Sequence, residues 1–404
     1  MDTIGTARGI ALYVGALLGP GLLVLPGLAA AAAGPASILA WAGLLILSGL
    51  VAVVFAQFGV THRSAGGVAE YVAAGLGERA GRAAGWCFLA GIITGAPIVC
   101  TMGAGYLTAD PARQALLGGA LLALVVTVSR RGLRASTGVQ MALVVVLVLV
   151  LVLAVGGALP SSHAANFRPF APHGWSAIGS AAAVLMLSFI GWEAVAPLTG
   201  RFADPRRQLP RVIGAAFLIT AVVYLALASV TVAVLGPRAA TGVPVAALLT
   251  YSIGPAGHVV AAAAAVLLTL GAVNTYLTGG AALAGPARWF WSGIVVSGVV
   301  ILSLLGLGLV PVAGAVAVPV SFFVVVYLGC MLSAVRVMSG GLRVIALAAA
   351  VVNVIVLGFT GAAAVPALLL AAVAVSPVSF SPASSSTRSA RSWSASRWPA
   401  PRRR

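Results

Sequence analysis

Lysine does not occur in this 404-residue chain, and only six of its residues are acidic. Charged residues of both signs make up 7% of the sequence, where a water-soluble domain carries about 25%. With 61% hydrophobic residues and a mean hydropathy of +1.13, that scarcity argues against any soluble globular domain. Cysteine is scarce as well. Cys87, Cys100 and Cys330 fall in apolar runs without a CxxC pair, so neither a thiolate metal site nor a disulfide framework is expected; buried thiols acting as small hydrophobes are. The four histidines, His62, His163, His173 and His258, are scattered over loops and the ends of apolar runs, with no HExxH and no ligand spacing. A membrane-embedded enzyme would need a nucleophile–base pair or metal ligands, so neither catalysis nor a metal is expected. No GxxxxGK[ST] run occurs, no cofactor is expected, and any energy must come from gradients or a partner.

What the chain has instead is long apolar runs. Runs of about 17–25 residues are the length of a membrane-crossing helix. Twelve can be drawn, at 8–33, 36–60, 81–109, 114–129, 135–158, 176–200, 209–236, 254–284, 289–307, 313–335, 342–360 and 362–379. The expectation is an all-α polytopic membrane protein with the lipid bilayer as its surroundings. The net charge of +17 invites a nucleic-acid reading, but the arginines sit in short loops between the runs. With the N-terminus placed inside the cell, all of the 23 basic residues except Arg113, Arg168 and Arg238 fall on the inner side. That asymmetry is the positive-inside pattern, and it points to a membrane protein with both termini on the cytoplasmic side and no nucleic-acid partner.

Two runs are irregular. The first contains Gly15-Ala16-Leu17-Leu18-Gly19-Pro20-Gly21, and a proline inside a helix loses a hydrogen bond and clashes with the preceding turn. Lipid tolerates such a break only where protein or a cavity satisfies the freed backbone groups. The run reads either as a binding element, whose helix amino end would suit a carboxylate, or as a kinked packing helix. The sixth run contains Ser188-Phe189-Ile190-Gly191-Trp192-Glu193, and Glu193 is the only acidic residue expected within the membrane. Such a carboxylate marks a pathway or relay, or is a structural acid at a helix break. Irregular first and sixth runs, five apart, fit two inverted five-helix repeats of about 8–158 and 176–335, with 342–379 as additional helices. Between the second and third runs, His62 to Gly77 reads as an interfacial or re-entrant piece, or as an ordinary connector. Asn274-Thr275-Tyr276 is a polar cluster that lines a cavity or joins helices. From Ser376 the composition turns to Ser, Pro, Arg and Trp, and 380–404 is expected to be a disordered basic cytoplasmic tail.

These stretches resemble the amino acid–polyamine–organocation transporter superfamily. Gly15-Ala16-Leu17-Leu18-Gly19-Pro20-Gly21 is similar to its first-helix G-x-x-x-G-x-G motif, with Pro20 in place of a small polar residue. Ser64-Ala65-Gly66-Gly67 resembles the loop before its third helix, and Phe189-Ile190-Gly191-Trp192-Glu193 its sixth-helix F-x-G-x-E. Asp204-Pro205-Arg206-Arg207-Gln208-Leu209-Pro210-Arg211 is similar to the turn that follows. Within the superfamily the chain looks most like the bacterial methionine and branched-chain amino acid exporter group.

The resemblance implies a LeuT-like 5+5 inverted-repeat fold of about twelve helices, with helices 1 and 6 broken. It also implies alternating access for a small zwitterion. The backbone near Leu18, Gly19, Pro20 and Gly21 would hold the substrate carboxylate, with Gly15 as a helix-break glycine. Carbonyls near Phe189, Ile190 and Gly191 would take its ammonium, and Trp192 would gate or line the side-chain pocket. Asn274, from the polar cluster noted above, is a further candidate substrate contact. A cavity of Ala, Val, Leu and Ile without a membrane cation favours a neutral apolar side chain. The leading expectation is outward secondary transport of neutral hydrophobic amino acids driven by protons, with Glu193 as the coupling candidate. An importer or exchanger of the same fold, and a channel or non-transporting scaffold, are the alternatives.

Overall fold

The computed structural model describes residues 5–61, 67–131, 137–195, 202–285 and 287–376. Helix is the only extended regular element among them. Apolar side chains in hydrocarbon leave the backbone no outside partner, so each segment bonds its own N–H and C=O groups.

In chain order the helices are α1 (Thr6–Leu17), α2 (Leu25–Ala33), α3 (Ser37–Thr61), α4 (Val68–Leu76), α5 (Glu78–Ala104), α6 (Pro111–Arg130), α7 (Thr137–Ala158) and α8 (Ala177–Leu185). They continue as α9 (Trp192–Val195), α10 (Pro205–Leu235), α11 (Pro244–Ile253), α12 (Ala256–Ala284), α13 (Arg288–Gly306), α14 (Val312–Val337), α15 (Gly341–Phe359) and α16 (Ala364–Val375). Among the described residues, nine helical stretches are long and apolar enough to cross a membrane. The protein is an all-α polytopic membrane protein. Helices overlie the apolar runs of the sequence with two additions between runs: the nine-residue α4 and the ten-residue α11. The first and sixth runs are both broken, the first between α1 and α2 and the sixth between α8 and α9. The tail expected at 380–404 and most of the Ser64–Gly67 motif lie outside the described residues.

The helices α5 and α14 are the most enclosed of the long ones and pack against each other. Apolar side chains such as Leu116 of α6, Val296 and Val299 of α13 and Val351 of α15 face outward, as on a bilayer-facing perimeter. Proline within α5 shows how a freed backbone group is satisfied. Pro97 cannot donate to the Ile93 carbonyl one turn back, and Ser297 of α13 donates to that carbonyl instead, at 2.7 Å. The segment before α5 is a docked helix rather than a plain connector. The carbonyl of Tyr71 in α4 accepts from Ser333 Oγ of α14 at 2.5 Å, and a Cβ on Gly75 would lie 2.8 Å from the Ser333 Cα.

Candidate functional site

Both helix breaks leave backbone groups without helical partners. The first helix ends at Leu17, Gly19 is extended (φ −77°, ψ 170°), and a 3-10 turn, Pro20–Leu23, leads into α2. The N–H groups of Leu18 and Gly19 are already engaged, donating to Val14 O and Leu17 O at 2.8 Å each. The first bond of the 3-10 turn runs from Leu22 N to Gly19 O at 3.1 Å, so the Gly21 N–H stands ahead of the ladder. In the sixth run α8 passes into a 3-10 turn, Met186–Phe189, and then into extended Ile190 (φ −80°, ψ 126°). A Cβ on Gly191 would lie 2.6 Å from the Ala16 carbonyl oxygen and 2.9 Å from its carbon. Glycine is thus what lets the two broken runs touch through their backbones.

Three tyrosines meet backbone groups at the breaks. Tyr224 of α10 has its hydroxyl 2.6 Å from Leu17 O in the first break and 2.6 Å from Ser188 O in the sixth. The hydroxyl has one proton to give and two carbonyls in reach, which ties the two breaks to a single side chain. Tyr106, just beyond α5, donates to Leu23 O. Tyr327 of α14 accepts from the Gly191 N–H at 3.2 Å.

Between the breaks lies a cavity of about 240 Å³. At ~30 Å³ per water volume this equals roughly eight waters, the scale of a small organic solute. Leu18, Gly19, Gly21 and Ile190 line it from the two broken runs. Ile92, Val144, Leu268 and Phe323 belong to its apolar wall, from α5, α7, α12 and α14. Its polar side chains are Ser188, Thr275 and Tyr276. A Cβ on Gly19 would meet nothing within 4 Å, so that position faces open space.

The sequence-identified residues do not all converge on this space. Gly15 lines the cavity but lies inside α1, three residues before the break. Its need for glycine is close packing, since a Cβ there would sit 2.5 Å from Val144 Cγ2. Phe189 turns into the core, edge-on to Tyr224 with ring centroids 5.1 Å apart. Trp192 is buried away from the cavity; its Nε1 donates to Ser48 Oγ of α3 at 2.9 Å and its ring packs on Tyr13. Asn274 likewise faces another helix, accepting from Ser129 Oγ of α6 at 2.6 Å. The reason is helical geometry: positions two apart point to opposite sides, so Tyr276 faces the cavity and Asn274 does not. The cluster therefore serves both of the purposes open to it, with Asn274 joining helices.

Glu193 is the only carboxyl group among the buried residues described, at 3% exposure. It sits behind the cavity wall rather than in it. Tyr327 donates to its Oε2 at 2.5 Å and the Gly191 N–H to the same oxygen at 3.0 Å. The hydroxyl of Tyr276, a cavity residue, is 3.4 Å from Oε1. These groups offset the cost of burying a carboxyl group and connect it to the cavity through one side chain. Among the described residues no group of three or more His, Cys, Asp or Glu could hold a metal ion.

Sequence reading missed Ser188, Tyr224 and Tyr327 as site groups. A signal existed: a tyrosine hydroxyl deep in an apolar run needs a partner, and a broken helix supplies carbonyls. Which tyrosine meets which break depends on packing alone.

Comparison with known proteins adds the family context. The amino acid permease family model matches residues 4–285. The uncharacterized amino acid permease YecA of Bacillus subtilis (strain 168) is 34% identical over 229 residues, which cover 56% of this chain and 54% of that relative. The match thus spans about half the length of that protein. The L-methionine/branched-chain amino acid exporter YjeH of Escherichia coli (strain K12) is 29% identical over 416 residues, covering 91% of this chain and 94% of the exporter. Branched-chain amino acid permease BcaP of Bacillus subtilis (strain 168) is 24% identical over 246 residues, or 55% of this chain and 53% of that relative.

Proposed function

The chain belongs to the amino acid permease family, and from that premise we propose that it exports neutral hydrophobic amino acids across a bacterial cytoplasmic membrane. It does so as a secondary transporter, by alternating access. The observation that carries this reading is the apolar cavity of about 240 Å³ with both helix breaks in its wall. A zwitterion needs opposite charges met at its two ends and, for leucine or methionine, an apolar pocket for the rest. The Gly21 N–H, outside the turn's ladder, serves one end, and the extended backbone at Ile190, which lines the cavity, serves the other. The wall, lined by Ile92, Val144, Leu268 and Phe323, suits an aliphatic or thioether side chain and disfavours a charged one.

The outward direction is supported by similarity to the E. coli exporter along nearly the whole chain. Proton coupling is assigned to Glu193, the lone buried carboxyl among the described residues, which reaches the cavity through Tyr276. The two breaks enter this scheme as corresponding parts of inverted repeats at about 8–158 and 176–335, with 342–379 outside them and both termini in the cytoplasm. Uptake or exchange of the same class of substrate is the second reading.

The test is efflux from cells preloaded with leucine- or methionine-containing dipeptides, with and without the protein. Faster, protonophore-sensitive efflux of the freed amino acid is expected. Uptake of the same amino acids without accelerated efflux would overturn the direction; no flux in either sense, with the protein in the membrane, would overturn the function.

A further inference from the structure

We propose that the Ser188 hydroxyl donates to the substrate's carboxylate and takes the place of the N–H that Pro20 lacks at the first helix break. This rests on the transport of an amino acid through the cavity described above. An ionised carboxylate has about four acceptor sites, and burying it with few donors is costly. The first break is short of donors. Leu18 N and Gly19 N are spent on Val14 O and Leu17 O, Pro20 has no N–H, and only Gly21 N stands free of the turn's ladder.

Across the cavity wall, Ser188 carries what is missing. The residue is 4% exposed and belongs to the cavity's lining, and its Oγ, buried in the wall, has no hydrogen-bond partner among the described residues. A buried serine hydroxyl ordinarily finds a partner, most simply the carbonyl one turn back in its own helix. This one is held out of that bond. A Cβ built on Gly21 would lie 3.8 Å from Ser188 Oγ, and both residues line the cavity, so the hydroxyl stands beside the first break. Tyr224 fixes their relation from behind, with its hydroxyl 2.6 Å from both Ser188 O and Leu17 O. The donor is neutral, so it adds no charge that an empty cavity would have to balance, and its bond to a carboxylate is of the stronger, charge-assisted kind.

The experiment measures equilibrium binding of leucine to the purified full-length protein, alongside two analogues. Leucinamide lacks the carboxylate and 4-methylpentanoate lacks the ammonium. Ser188→Ala is expected to weaken leucine and 4-methylpentanoate at least tenfold and to leave leucinamide within twofold. Ser188→Thr, which keeps the hydroxyl, is expected to restore most of the affinity. Because Oγ has no protein partner, the alanine variant should melt with the wild type, separating a binding effect from a folding one. Pro20→Ala restores an N–H, and in that background the Ser188→Ala loss should shrink to threefold or less. An unchanged leucine affinity in Ser188→Ala overturns the proposal. So does a loss that persists for leucinamide and vanishes for 4-methylpentanoate, which would move the hydroxyl to the ammonium end. A full-sized loss in the Pro20→Ala background overturns the replacement of the missing N–H. Failure of the wild type to bind any neutral amino acid would instead overturn the transport reading on which the proposal rests.

Discussion

Replacing Gly19 with leucine tests whether the cavity between the breaks is the place where substrate sits. The backbone at this position is extended, at φ −77° and ψ 170°, which any residue adopts without strain. No atom lies within 4 Å of the Cβ that leucine would bring, so the fold has nothing to push aside. The added side chain then enters the cavity that Gly19 lines. Its four carbons, at ~30 Å³ each by analogy with a water volume, take up roughly half of the space. Forcing a substrate into a site overfilled to that degree costs about 1–3 kcal/mol. The corresponding loss of affinity is roughly 5- to 150-fold. Stability should hold within about 0.5 kcal/mol, as for a substitution that meets no neighbour. The assay pairs leucine or methionine binding with thermal melting of the same purified protein. Wild-type affinity in a normally folded Gly19→Leu protein would show that substrate does not use this cavity. A protein that fails to fold would show that the glycine is there for packing, against the open space described.

Other substitutions separate the supports of the site from the site itself. Gly191→Ala places a methyl 2.6 Å from the Ala16 oxygen, and the backbone there can yield only by moving the broken runs apart. It should lower stability by about 1–3 kcal/mol, read by melting, and an unchanged melting temperature would refute the close contact. Tyr224→Phe keeps the ring against Trp41 and Phe189 but strips the hydroxyl from Leu17 O and Ser188 O. Leu17 O keeps the Gly19 N–H, so a destabilisation of about 1–3 kcal/mol is expected from the Ser188 carbonyl left dry, and none would mean it is satisfied elsewhere. Glu193→Gln keeps the shape and an acceptor for Tyr327 and Gly191 but carries no exchangeable acid proton. Substrate binding should persist while proton-driven flux is lost, measured by counterflow against gradient-driven efflux; wild-type gradient-driven flux would remove Glu193 from coupling.

Much of this protein is dictated by one-dimensional chemistry. Apolar runs of bilayer length, in a chain with 7% charge, can only be helices in lipid, and helices overlie those runs. The breaks are equally local. Pro20 removes a donor wherever it stands, and Gly191 permits a contact no larger residue would allow, so both irregular runs could be marked before any packing was known. Glu193 was conspicuous for the same reason, a charge where hydrocarbon was expected.

The tertiary structure decided which of the marked residues face one another. Consecutive residues at a break point in different directions, so Ile190 reaches the cavity while Phe189 and Trp192 enter the core. Asn274 and Tyr276, two apart on one helix, are sent to opposite sides. Gly15, conspicuous in the motif, proved to be a packing contact with α7. The hydroxyls of Tyr224 and Tyr327 found the breaks only because α10 and α14 pass beside them, at positions far away in the chain. The free hydroxyl of Ser188 is of the same kind: its residue is ordinary in the sequence, and only the fold leaves its oxygen without a partner in a cavity wall. Local sequence determines where a helix must break, whereas the partners of the broken backbone are set by contacts between distant segments.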